Sequence, residues 1–203
     1  MKLYIHPGAC AMASHITATE LGLDVEVVKV DLNDHKTESG EDFYTINPKG
    51  YVPTLVIDES KSLTEGVAIL QFLADQKPEG KMTPAEGTFE RYKLQEMLTF
   101  ISSELHKGLD IFFSQKTFID GEKEARLTKL QTRFAYLDTV LEDNEFLVGD
   151  TFSIADAYAF TIMNWRNFFD IDISTHKNLE SYLAKLASRD SVQATMKAEG
   201  LIE

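Results

Sequence analysis

The sequence predicts a chain of two parts: a small α/β domain over residues 1–77, a linker over 78–86, and an all-helical domain over 87–203. Three observations predict it. Short runs rich in β-branched and aromatic residues alternate with helical patterns early in the chain. The stretch that follows, with Pro78, Gly80 and Pro84, has a linker's composition. Beyond it, apolar residues recur at helical spacing to the end.

The elements of the first part follow in order. Lys2–Ile5 and Glu26–Val30 read as strands, with a helix over Cys10–Leu21 between them that Gly22 ends. Strand, helix, strand is a βαβ unit. Residues 31–41 are polar and read as loop, and a short helix over Asp42–Ile46 stops at Asn47-Pro48-Lys49-Gly50. Thr54–Ile57 and Ser62–Leu63 form a hairpin, and Gly66–Gln76 is a helix with Val67, Leu70, Leu73 and Ala74 on one face. In the second part, Leu94, Met97, Leu98, Ile101, Leu105 and Phe112 keep helical spacing over a long segment. Leu127, Leu130, Phe134, Leu137 and Leu141 form a second stripe, and 154–166, 179–187 and 191–198 supply three more helices.

Composition narrows the function. The formal charge is −13, with acidic residues spread along the chain. Nucleic-acid binding draws its affinity from a basic face, so no nucleic-acid partner is expected. No stretch reaches the ~20 apolar residues of a membrane span. The N-terminus lacks a signal's apolar core, so a cytoplasmic protein without a membrane partner is expected. Cys10 is the one cysteine, which excludes an internal disulfide. The histidines show no metal-ligand spacing, so no metal is expected.

Four places carry candidate chemistry. Cys10 follows a strand and a turn and opens a helix, where free amides and the helix dipole stabilise a thiolate; a lone cysteine is otherwise a small buried hydrophobe. Ser14, one turn on, would offer a hydroxyl there or bond its own helix. Val52-Pro53 precedes a strand; a trans bond is the default, and a cis bond would turn the Val52 backbone towards a peptide-like ligand. At Ser62-Leu63-Thr64-Glu65-Gly66 the helix N-terminus suits a carboxylate and Glu65 an ammonium; the plainer reading is a Ser62–Glu65 capping box. On the long helix, Thr99, Ser103, His106, Lys107 and Asp110 lie opposite the apolar stripe, facing water or a cleft, where His106 and Lys107 would set positive charge near a thiolate. Ser153 and Asp156 have capping-box spacing and are read as structural.

Together these pieces resemble the glutathione transferase family, in particular its bacterial beta class. The resemblance rests on Pro7-Gly8-Ala9-Cys10, Asn47-Pro48-Lys49-Gly50-x-Val52-Pro53, Leu63-Thr64-Glu65-Gly66-Val67-Ala68-Ile69, Glu104-Leu105-His106-Lys107-Gly108 and Phe152-Ser153-Ile154-Ala155-Asp156-Ala157-Tyr158. It implies a thioredoxin-like first domain, a helical second domain with the electrophile site and dimer contacts, a homodimer, and a cis Val52–Pro53 bond. It also implies glutathione as co-substrate, with a small hydrophobic electrophile as the other partner in a detoxifying reaction. Cys10 would lie next to the glutathione sulfur and form a mixed disulfide with it. Val52 and Pro53 would meet the cysteinyl part, and Glu65 and Gly66 the γ-glutamyl end. Ser103, His106 and Lys107 would complete the site, and Glu104 would serve the partner subunit's. His35 stands where the family usually has a lysine for the glycyl carboxylate, with Lys36 beside it, and Thr99 where it often has an asparagine. Two other readings stand beside it: a non-enzymatic carrier or polymerase-associated regulator on the same fold, and a glutaredoxin-type reductase, which shares the first domain and works through Cys10 alone.

Overall fold

The computed structural model describes residues 1–114 and 117–203. It divides into two compact units, Met1–Thr83 with Arg189–Glu203, and Pro84–Ser188.

The first unit is built on a five-stranded sheet in the order β3-β2-β1-β4-β5. The strands are β1 (Lys2–Ile5), β2 (Glu26–Asp31), β3 (Lys36–Thr37), β4 (Thr54–Asp58) and β5 (Lys61–Thr64). β1 and β2 run parallel across α1 (Met12–Leu21), and the other pairs are antiparallel. In the central strand Leu3 lies between Val27 and Leu55. Leu3, Ile5 and Leu55 are fully buried, as an interior strand requires. Phe43, Ile69 and Leu73 join them in one core.

Three details depart from the sequence reading. The 31–41 stretch contains β3, too short to show a period. The Asp42–Ile46 helix is a single 3₁₀ turn, Phe43–Thr45, capped by the Asp42 carboxylate on Tyr44 N (3.0 Å). Helix α1 begins at Met12 and leaves Cys10 in the preceding turn. Gly22 ends it in the left-handed conformation (φ 59°), as expected.

Helix α2 (Gly66–Asp75) packs against α1. Eight of the ten residues of α1 are buried, because a further helix, Asp190–Glu199, covers it as well. Arg189 grips Glu20 with Nε (2.9 Å) and Nη2. Thus the C-terminal segment packs with the sheet unit, although it follows a run of helices in sequence.

The second unit starts with α3 (Phe89–Phe100), which passes into a π-helical stretch, Ile101–His106, and then α4 (Lys107–Asp110) and a 3₁₀ turn, Ile111–Phe113. The expected single long helix is therefore interrupted where His106 lies. A π turn closes i→i+5 bonds and rotates less per residue than an α turn. Ile101, Leu105 and Leu109 stay fully buried through the change. α5 (Glu122–Val140) buries Leu130, Phe134 and Leu137. α6 (Ile154–Asn164) is buried from Ile154 to Met163, and α7 (Lys177–Ala187) packs on it. The Asp190–Glu199 helix of the first unit is α8.

The Ser153–Asp156 capping box is present. Asp156 goes further than a cap: fully buried, it also accepts from Leu147 N (2.9 Å) and Tyr182 Oη (2.7 Å). Burial pushes its carboxyl up and the Tyr182 phenol well up. Among the described residues no helix is long and apolar enough to cross a membrane.

Candidate active site

The chemistry of the first unit gathers at one end of the central strands. β1 delivers the chain into the turn Pro7-Gly8-Ala9-Cys10. Cys10 is partly exposed, and its Sγ lies 3.4 Å from the Val52 carbonyl as a donor to it. Some of the amides flanking Cys10 are engaged within the protein. Met12 N bonds Ala9 O (3.0 Å), Ala13 N bonds Cys10 O (3.3 Å), and Gly8 N donates to Glu199 Oε2 (2.8 Å). Ser14 is fully buried and its hydroxyl has no partner among the described residues, so it does not make the bond to its own helix.

The Val52–Pro53 bond is cis, as the resemblance implied against the default. The approach to it is fixed by Asn47, whose amide donates to Tyr51 O (2.7 Å) and Thr54 Oγ1 (3.0 Å). Gly50 is required there: at φ 72°, a Cβ would sit 2.5 Å from Tyr44 Cε1.

Glu65 corrects the capping-box reading. Ser62 is spent in β5, paired with Val56 across the sheet, and α2 has no side-chain cap. Glu65 is itself the N-cap residue, at φ 70° and ψ 114°. Such a backbone costs a non-glycine residue about 1–3 kcal/mol, and such residues gather at ligand clamps. Its exposed carboxylate accepts from Lys49 Nζ (2.6 Å) and Tyr51 Oη (2.7 Å), and it holds the Lys49 ammonium above its usual range. Gly66 opens α2 beside it, at an end where first-turn amides have no partner within the helix.

His35 adopts φ 54°, with its ring 4.6 Å from that of Tyr44. Its Nδ1 is buried without a partner among the described residues. Lys36 is exposed in β3.

In the second unit, His106 contradicts the expectation of positive charge. It is packed under Tyr158, with Nδ1 2.6 Å from Tyr158 Oη, and edge-on to Trp165 at 5.0 Å. Burial, with Lys107 adding to it, pushes the imidazole down to about 4, so the ring is neutral at pH 7. The positive charge is on Lys107, paired with Asp110 (2.9 Å). Thr99 and Ser103 turn their hydroxyls back to the helix, onto Gln95 O (2.8 Å) and Thr99 O (2.9 Å). Glu104 accepts from Arg133 (2.7 Å) and Lys129 (3.4 Å), which hold its carboxyl below the usual range. Beside His106 stands an aromatic group that no spacing rule singled out in full. Phe113 touches Trp165 (5.3 Å), Phe168 (5.9 Å) and Phe169 (4.6 Å), and Phe113 and Phe168 are more than half exposed. No spacing in the sequence shows that the 165–169 turn brings Phe168 and Phe169 to Phe113.

A βαβ-ββα unit with a cysteine turn, a cis-proline and a strained helix start, followed by a helical unit, defines a class of thiol-handling proteins. Family models bear this out. The "Glutathione S-transferase, N-terminal domain" model matches residues 1–75 and the "Glutathione S-transferase, C-terminal domain" model residues 100–190. Glutathione S-transferase GstA of Escherichia coli O157:H7 is 39% identical over 201 residues, covering 99% of this chain and all of that one. A sphingomonad glutathione S-transferase, solved in complex with glutathione, aligns over the whole of both chains at 43% identity and a TM-score of 0.93. The bacterial beta-class enzyme of Sphingomonas chungbukensis does so at 44% and 0.93. The chain belongs to the glutathione S-transferase family, among its bacterial beta-class members.

Proposed function

We propose that this enzyme binds glutathione beside Cys10 and transfers its thiol to small hydrophobic electrophiles. We propose with it a thiol–disulfide exchange through a Cys10 mixed disulfide. The observation that carries the reading is the meeting of Cys10 Sγ with the Val52 carbonyl at the cis-Pro53 turn, 3.4 Å apart. An extended peptide laid along Val52 would pair with its backbone and bring a cysteinyl sulfur to Cys10. The likeness to a transferase solved with glutathione supports that ligand, and favours the transferase over a non-enzymatic carrier or regulator.

The other residues take roles from the resemblance. Glu65 would receive the γ-glutamyl ammonium, sharing or displacing Lys49, while the amides of Gly66 and its neighbour meet the α-carboxylate. His35 would meet the glycyl carboxylate, with Lys36 adding charge. Ser103, His106 and Lys107 would complete the site, Thr99 would stand in for an asparagine, and Glu104 would act towards a second subunit of a homodimer. The exposed rings of Phe113 and Phe168 give a hydrophobic electrophile a surface to stack on.

In the exchange, the Cys10 thiolate attacks one sulfur of oxidised glutathione. A Cys10–glutathione disulfide forms and one glutathione thiolate leaves; a second glutathione then releases Cys10 and restores the disulfide ligand. Intact-mass spectrometry after incubation with oxidised glutathione tests the step. One glutathione adduct on the wild type, absent from Cys10→Ala and reversed by reductant, is expected. An unmodified wild type would remove Cys10 from the chemistry.

A further inference from the structure

The hydrogen bond behind His106 decides what its ring can do. Tyr158 Oη lies 2.6 Å from His106 Nδ1. Tyr158 is 3% exposed, on a helix buried along nearly its whole length, so the phenol has little room to move away. Trp165 closes another side of the ring. A phenol, with an ordinary pKa of about 10, is a far stronger acid than the N–H of a neutral imidazole. An imidazole nitrogen is in turn the better acceptor. The bond therefore runs from Tyr158 Oη–H to His106 Nδ1, and the proton of the neutral ring sits on Nε2.

We propose that Tyr158 is a positioning residue for the glutathione chemistry: its hydroxyl fixes His106 as the Nε2–H tautomer, so that the ring offers a ligand thiolate an N–H donor and not an acceptor. The proposal rests on the reading above that places His106 in the glutathione site. A donor of this kind favours the thiolate over the thiol without bringing a charge of its own. It also gives the buried phenol a task that packing alone does not require, since phenylalanine would fill the same space. Of the charges on the elements packed around His106, Lys107 and Asp110 act on the ring in opposite senses, and Arg166, next to Trp165, has its Nε buried without a partner among the described residues. Lys107 pairs with Asp110, Lys129 and Arg133 with Glu104, and Lys93 with Glu96. Arg91 donates to Pro84 O, and Asp156 is held in its capping box.

The test is ¹⁵N NMR of the histidine rings across pH, with His106→Gln to assign the signals, beside the kinetics of glutathione conjugation to a chloro-nitrobenzene. The wild type should show the Nε2–H form at pH 7 and keep it to below pH 5. Tyr158→Phe should show mixed tautomers and protonate at higher pH. Its kcat/KM should fall about five- to tenfold, the scale of one neutral hydrogen bond. In His106→Gln, whose amide nitrogen donates from the Nε2 position without help, adding Tyr158→Phe should change little. An Nδ1–H ring in the wild type would overturn the proposal. So would an unchanged spectrum in Tyr158→Phe, or an equal loss from Tyr158→Phe in the His106→Gln background, which would make the phenol a packing residue. His106→Ala with unimpaired conjugation would instead overturn the placing of His106 in the site, while the spectra still report how the ring is held.

Discussion

Glu199 ties the end of the chain to the turn that carries Cys10, and the bond can be weighed. Its side chain is fully buried, with one oxygen accepting from Gly8 N (2.8 Å) and the other from His15 Nδ1 (2.9 Å). His15 is itself 11% exposed at the side chain, so water replaces neither contact easily. Glu199→Ala takes the carboxylate acceptor from the buried His15 ring and one bond from the half-buried Gly8 amide. At about 1–3 kcal/mol for each donor that loses this carboxylate, a loss of about 3–5 kcal/mol is expected. That is a large part of a stability of about 5–15 kcal/mol. For a chain of this length it corresponds to roughly 6–20 °C in Tm. Glu199→Gln keeps the volume and one carbonyl acceptor and should lose about half as much. Urea unfolding at pH 7 measures both, and an unchanged m-value shows that only stability has moved. Because Gly8 lies two residues before Cys10, iodoacetamide should alkylate Cys10 faster in the alanine variant under conditions where it remains folded. A loss below about 1 kcal/mol, with the alkylation rate unchanged, would refute the claim that the C-terminal helix braces the cysteine turn.

Two further outcomes follow from the second unit. His106 has a folded pKa of about 4 against 6.5 unfolded, so below pH 6.5 the unfolded chain takes up a proton that the folded one refuses. Stability should be unaffected by this group above pH 6.5 and fall by about 3 kcal/mol as the pH drops from 6.5 to 4. His106→Gln should flatten that slope, and equal slopes for the two proteins would rule the effect out. Ser153→Ala should cost about 1 kcal/mol, as loss of an N-cap does. Asp156→Ala should cost about 3–5, because it also strands Leu147 N and Tyr182 Oη; equal losses in thermal unfolding would mean that the carboxylate is only a cap.

Much of this was legible because it is written locally. The β1–α1–β2 and β4–β5–α2 succession follows from residue type and from turn chemistry at Gly22, Asn47-Pro48 and Gly50. The Ser153–Asp156 box follows from two residues three apart. What was missed depends on partners distant in sequence or on a broken period. Two residues of β3 cannot display alternation. Ser62 and Glu65 have capping-box spacing, but the pairing of β5 with β4 claims Ser62 first. The packing of α8 on α1 joins residues more than 160 positions apart, through Glu199 with His15 and Arg189 with Glu20.

The candidate site divides along the same line. Cys10, Val52, Pro53, Glu65 and Gly66 were found by their place next to a turn or a helix start. The state of His106 was not. Counting 100° per residue along the long helix put it on a polar stripe beside Lys107, with the charge that position suggests. The π turn at Ile101–His106 changes the count, and the ring goes under Tyr158 and Trp165. Burial then removes the charge, and a phenol from another helix decides where the one remaining proton sits. Sequence order thus singles out the histidine while giving its protonation the wrong sign. Whether the ring offers a fixed donor or a mobile charge is set by α6, through Tyr158.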